Sequence, residues 1–217
     1  MIKKLAIVLI ALMLSCVGYA HAVILLDYSD PDTQQGDGGF EGIDHWTFGG
    51  NNGGGLIVNG GGANPDAWQG TKIAYIWKDL GAGNYGYSFT TAWIPYTSGM
   101  EITFSGYYNI TGGDFSAGNY TALKIEYDDA TIHEGAHYSN GTADWTLGSM
   151  QSTNGSESAT QVRFTISITG DGDALNSVYW DGLTASAVPE PSSIAFFGMG
   201  LLGLIGAGWR RFRAAKQ

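Results

Sequence analysis

The sequence predicts an all-β protein: a two-sheet antiparallel β-sandwich over residues 23–187, with an apolar segment at each end of the chain. Three observations predict it. Several stretches alternate apolar and polar residues with a period of two, as strands do when one face is buried and the other is wet. Clusters of Gly, Asn and Asp, such as Asn51–Gly55 and Gly60–Gly62, punctuate those stretches at turn-like spacing. Between the ends no amphipathic helical pattern of useful length occurs. Packing about eight or nine such strands into two layers is the natural way to bury their apolar faces.

Taken in chain order, the first element is MIKKLAIVLIALMLSCVGYAHA, residues 1–22. Lys3 and Lys4, the apolar run Leu5–Leu14 and the small-residue triplet Ala20-His21-Ala22 are the three parts of a secretory signal, with cleavage expected after Ala22. The run is too short to span a bilayer easily. Strands are expected at Val23–Tyr28, Leu56–Val58, Lys72–Trp77 and Tyr85–Ile94. In MEITFSGYYNI, Met100, Ile102, Phe104, Tyr108 and Ile110 share one face. In LKIEY the apolar face is Leu123, Ile125 and Tyr127. Ala143–Leu147 follows. TQVRFTISIT then alternates most cleanly, with Val162, Phe164, Ile166 and Ile168 inward and Arg163, Thr165, Ser167 and Thr169 outward. Ser177–Trp180 closes the domain. The last element is Ser192–Trp209, uncharged and about 27 Å long if helical, enough for a thin hydrocarbon core. Trp209 stands where an interfacial aromatic belongs, and Arg210, Arg211 and Arg213 in the basic tail 210–217 fit a cytoplasmic stop.

Charge narrows the function. The 217 residues carry a net −10, but six of the ten cations lie in the terminal segments. Residues 23–187 hold 19 acids against Lys72, Lys78, Lys124 and Arg163, a net of −15. Nucleic acid, whose phosphates need cationic partners, is thereby disfavoured. The single cysteine, Cys16, lies in the leader, so the domain itself has neither disulfide nor thiol chemistry.

Val188-Pro189-Glu190-Pro191, the glycine-bearing apolar segment and the terminal arginines together resemble the PEP-CTERM sorting signal over residues 188–217. That resemblance implies export by a Gram-negative bacterium that makes exopolysaccharide. It also implies a transient inner-membrane anchor, with signal peptidase and a membrane exosortase as processing partners. Val188, Pro189, Glu190 and Pro191 would then be the recognition residues.

A second resemblance is to jelly-roll carbohydrate-binding modules and their galactose-binding-like relatives. It rests on the opening Gly39-Phe40-Glu41…Trp46, the aromatic strand Tyr85-Gly86-Tyr87-Ser88-Phe89 and the closing Val178-Tyr179-Trp180-Asp181-Gly182-Leu183. It implies a structural Ca²⁺ tying the first strand to the last through Glu41 and Asp181, with Gly182 standing where a second Asp is usual. Asp27, Asp30 and Asp32, or Asp171 and Asp173, are alternative acidic clusters for such a hard cation.

The sharpest chemical pattern is His133-Glu134-Gly135-Ala136-His137, which matches the H-E-x-x-H of zinc hydrolases. That chemistry needs a helix, because only a helix places i and i+4 on one face. A preceding Asp-Asp-Ala turn, Gly135 in the motif and Ser139-Asn140-Gly141 after it favour a loop or strand edge instead. Among the tryptophans, Trp77 and Trp93 fall within expected strands and read as core. Trp68, in Asn64-Pro65-Asp66-Ala67-Trp68-Gln69-Gly70, reads as an exposed ring able to stack on a sugar. No nucleophile elbow or phosphate loop appears, and 19 acids single out no glycosidase pair. The expectation is a non-enzymatic, exported carbohydrate-binding or matrix module. The alternative is an exported hydrolase, as zinc protease or glycosidase.

Overall fold

The computed structural model describes residues 22–27, 40, 46–51, 53–62, 64–78, 85–112, 118–142, 144–152, 157–170 and 176–189. The expected signal peptide before Ala22, the apolar segment 192–209 and its tail lie outside these, as do Glu41, Glu190, Pro191, Arg210, Arg211 and Arg213. Among the described residues no helix is long and apolar enough to cross a membrane. Val23–Ala187 forms a compact unit.

Among the described residues of that unit every regular element is a strand: β1 (Val23–Leu26), β2 (Trp46–Asn51), β3 (Gly53–Asn59), β4 (Lys72–Lys78), β5 (Tyr85–Thr91), β6 (Ile94–Pro95), β7 (Met100–Gly112), β8 (Tyr120–Tyr127), β9 (Ile132–Glu134), β10 (Thr146–Ser152), β11 (Gln161–Gly170) and β12 (Asn176–Pro189). One sheet runs β10-β7-β12-β4-β3, with β1 also pairing β12. The other runs β2-β5-β11-β8-β9, with β6 also pairing β11. The strands pair antiparallel, as in β10–β7, β11–β5, β11–β8, β12–β4 and β3–β4.

The alternation read from sequence is what closes the sandwich. From one sheet Ile102, Phe104, Tyr108, Ile110, Val178 and Trp180 turn inward; from the other come Leu123, Ile125, Tyr127, Val162, Phe164, Ile166 and Ile168. Phe104 meets Phe164 across the layers at 4.9 Å. Phe40 is fully buried against Trp46 and Phe89, so this phenylalanine plugs the core. A polar chain through the interior is satisfied at each step. Trp180 Nε1–H donates to Thr121 Oγ1 at 2.9 Å, and Thr121 Oγ1–H donates to the Ser167 carbonyl at 2.7 Å. It joins the two sheets without leaving a buried donor unpaired.

The structure corrects several expectations. Twelve strands are described rather than eight or nine. The segment expected at Ala143–Leu147 is strand only from Thr146 and runs on to Ser152, and Tyr85–Ile94 is two strands separated at Ala92-Trp93. Neither Trp77 nor Trp93 is core. Trp77 lies on the outer face of β4 over Gly54, whose missing side chain makes the room. Trp93 is 39% exposed beneath the guanidinium of Arg163, at 4.6 Å from its ring centroid.

Candidate functional sites on the two sheet faces

The outer face of the β2-β5-β11-β8-β9 sheet carries an open trough of ≈ 200 Å³. Its floor is small and polar because the outward positions there are Gly49, Gly86, Ser88, Thr165, Ser167 and Thr169; Lys124 and Glu126 form a wall. The outward residues of β11 that line it, Thr165 to Thr169, cover four residue steps, about 13 Å at about 3.3 Å each.

Around the floor the charged groups are mutually held. Arg163 donates from Nε and Nη2 to Glu126 Oε2 at 2.8 and 2.6 Å, while Thr165 Oγ1–H donates to Glu126 Oε1 at 2.9 Å. Thr165 Oγ1 also shares a 3.0 Å hydrogen bond with Thr90 Oγ1. On the far side of β8, Lys124 Nζ lies 3.2 Å from Glu134 Oε2, and His137 Nε2 lies 3.1 Å from Glu134 Oε1. Partial burial pushes the Glu134 carboxyl up, but the Lys124 ammonium and hydrogen bonds from Lys124 and Tyr120 outweigh it and hold the group below its ordinary value. Tyr120 moves the other way, raised by burial and by the Glu134 charge. The trough is thus flanked by Trp93 under Arg163 on one side and by the Tyr120–His137 ring pair, 3.6 Å apart, on the other.

The H-E-x-x-H stretch is not helical. His133 and Glu134 belong to β9, a three-residue edge strand paired with β8. His133 packs edge-on to the core residue Tyr127, whereas His137 stacks on the outward Tyr120. The two imidazoles therefore stand on opposite faces of the sheet and do not form the zinc pair the pattern describes.

On the outer face of the β10-β7-β12-β4-β3 sheet, the loop 60–71 between β3 and β4 folds over the strands and brings together two residues singled out from sequence. Trp68 lies flat on Tyr107 of β7, centroids 3.9 Å apart at 20°. The next residue, Gln69, donates its backbone N–H to Asp181 Oδ2 at 3.0 Å, and Asp181 Oδ1 accepts the Gly182 N–H at 2.7 Å. Asp181 is fully buried, with both carboxylate oxygens engaged by backbone amides. The Gln69 contact braces the loop against β12. Among the described residues no three His, Cys, Asp or Glu converge, and Glu41, Asp30, Asp32, Asp171 and Asp173 lie outside them. Further along this face, Tyr179 stacks on Tyr75 at 4.7 Å, and Tyr75 on Trp77 at 5.3 Å. Sequence reasoning missed this ladder and the trough, because both are made by strands that are neighbours in space but not in sequence.

A family model described as the PEP-CTERM protein-sorting motif matches residues 187–213. The chain carries a PEP-CTERM sorting signal. For a PEP-CTERM protein the motif implies export and a transient C-terminal membrane anchor. No curated protein matches the chain. Among solved structures, a cyclase from Fischerella sp. TAU is 14% identical with a TM-score of 0.54, the match covering 78% of this chain and 98% of that one. The CBM22-1 and GH10 modules of an endo-1,4-β-D-xylanase from Clostridium thermocellum, complexed with xylohexaose, are 17% identical with a TM-score of 0.50. There the match covers 76% of this chain and 28% of the xylanase. TmCBM61, complexed with β-1,4-galactotriose, is 14% identical with a TM-score of 0.47 over 68% of this chain and 90% of that one. The sandwich of this chain is thus similar in fold to the xylanase modules and to the cyclase, a likeness of fold alone.

Proposed function

We propose that this PEP-CTERM protein is a non-enzymatic polysaccharide-binding component of the cell surface, and that the trough on the β2-β5-β11-β8-β9 face takes the glycan. The observation that carries the reading is the trough's composition. A floor of Gly, Ser and Thr lets a chain lie close to the sheet, and the hydroxyls of Ser88 and Thr169 with the fixed charges of Lys124 and Glu126 supply hydrogen-bond partners for sugar hydroxyls. The matched sorting motif supports a location among exported polysaccharide. The hydrolase alternative lacks comparable support, since His133 and His137 face apart and Glu126 and Glu134 are both held in ion pairs.

The test is affinity electrophoresis of the full chain, in lipid nanodiscs, through gels containing exopolysaccharide extracted from the producing bacterium. Retardation is expected. Gly49→Leu is the informative variant, because a Cβ at Gly49 meets no atom within 4 Å and the added side chain fills the trough without disturbing the fold. It should lower retardation severalfold; an unretarded wild-type chain overturns the reading.

A further inference from the structure

We propose that the opposite face of the sandwich holds a second, independent pyranose-binding platform built on Trp68, so that one molecule bridges two polysaccharide chains. The inference rests on the reading of the protein as a polysaccharide binder and adds a second site to it.

Trp68 is 47% exposed, about what remains when one face of an indole is covered and the other is open. The covered face rests on Tyr107. Left free, an exposed loop tryptophan would sample many rotamers or bury itself further, but here the surrounding loop is fixed from several directions. Gln69 is tied to buried Asp181. Trp145 Nε1–H donates to the Asp66 carbonyl at 2.8 Å, and Tyr179 Oη–H donates to Asn64 Oδ1 at 3.1 Å. Within the loop, Gly60 N–H donates to the Thr71 carbonyl and Gly61 N–H to the Pro65 carbonyl, both at 2.8 Å. The strand beneath is shaped to match. Gly182 adopts φ +59°, and a Cβ there would stand 3.0 Å from Trp68 Cδ1 and 3.3 Å from Tyr107 Cδ2. A flat ring with one face pinned and the other wet is the surface on which the apolar C–H face of a pyranose stacks. Because the ring is ordered before binding, association loses little side-chain entropy.

The surroundings favour a neutral polyol. Leu147, 56% exposed, pairs with Tyr107 in the β10–β7 register and extends the apolar strip. Asp66 and Asp144, both exposed and joined through the Trp145 contact, offer carboxylate acceptors for hydroxyl donors. On the same face of β7 stands Asn109, 5% exposed, whose Oδ1 has no hydrogen-bond partner among the described residues.

Platform and trough lie on the outer faces of different sheets, which stack about 10 Å apart backbone to backbone. They point in opposite directions, so one glycan segment does not fill both. Binding at both faces makes the protein a cross-linker rather than a coating.

The experiment uses the full chain at one copy per lipid nanodisc, so that valency comes from the protein alone, and beads coupled to exopolysaccharide extracted from the producing bacterium. Wild-type chain should agglutinate the beads. Trp68→Ala and Gly49→Leu should each abolish agglutination while remaining partly retarded in affinity gels, and the double variant should lose both properties. Trp68→Tyr should restore agglutination, which separates loss of the ring from loss of the loop. If Trp68→Ala agglutinates as wild type does, the second platform is wrong while the trough reading stands. If the wild-type chain neither agglutinates beads nor is retarded, both readings fall.

Discussion

At the scale of single residues, Gly182 shows how a departure from an expected motif is explained by what surrounds it. The closing strand places Gly where a second Asp is usual, and the geometry gives the reason. The backbone turns left-handed at +59°, and the Trp68–Tyr107 stack occupies the space above. Gly182→Ala should therefore destabilise the protein by about 1–3 kcal/mol, from the backbone conformation and the close approach together. A chemical-denaturation midpoint reads the loss, and a change in tryptophan emission reports displacement of Trp68. Asp181, the residue before it, is held just as closely. Its two oxygens serve the amides of Gln69 and Gly182. Asp181→Ala should cost about 2–3 kcal/mol by leaving those amides without their acceptor. The same engagement predicts that adding calcium to chelator-treated wild-type protein leaves its melting temperature within about 1 °C, since only an ion bound to the native state raises it. A rise of several degrees would assign Asp181, with residues such as Glu41, to a metal site instead.

At the scale of elements, strands were legible where one face is dry and the other wet. β7, β8 and β11 announce themselves because Phe104, Leu123 or Phe164 must be buried while Ser105, Lys124 or Thr165 need not be. β2 and β9 were not legible. β2, with the sequence Trp-Thr-Phe-Gly-Gly-Asn, is mostly glycine and polar, and β9 is three residues at a sheet edge held by pairing to β8. Trp68 was legible as an exposed ring, since its loop is rich in Gly, Asn, Pro and Asp, but its brace on Asp181 spans 112 positions and leaves no local trace. The attachment of β9 gives a pH prediction. Glu134, held mainly by Lys124 against the opposing effect of burial, ionises below its ordinary value. A carboxyl depressed in the folded state contributes stability above its unfolded pKa and loses that contribution as pH falls through the folded one. The melting-temperature difference between wild type and Glu134→Gln should thus be present at neutral pH and vanish below the usual glutamate range near 4.5. It should not exceed about 2–4 °C, because partly exposed ion pairs contribute only about 0.2–1 kcal/mol.

At the scale of the whole molecule, charge decides which glycans the proposed binder would tolerate. Residues 23–187 carry 19 acids against four Lys and Arg, and Lys124 and Arg163, which border the trough, are already paired with Glu134 and Glu126. An approaching uronate or sulfate ester therefore meets a net negative field with its nearest cations engaged. A neutral glycan meets only hydroxyls, amides and rings. Screening reaches about 10 Å at 0.1 M salt and about 3 Å at 1 M, so added salt removes the repulsion while leaving hydrogen bonds and stacking largely intact. Separating the extracted exopolysaccharide into neutral and acidic fractions makes the consequence measurable by affinity electrophoresis. Retardation by the neutral fraction should hold constant from 20 mM to 0.5 M NaCl, about a fivefold range in Debye length. Retardation by the acidic fraction should start weaker and rise with salt. The opposite trend, acidic glycan bound tightly at low salt and released at high salt, would mean that Lys124 and Arg163 exchange their carboxylate partners for the ligand, and the trough would then be an anion site.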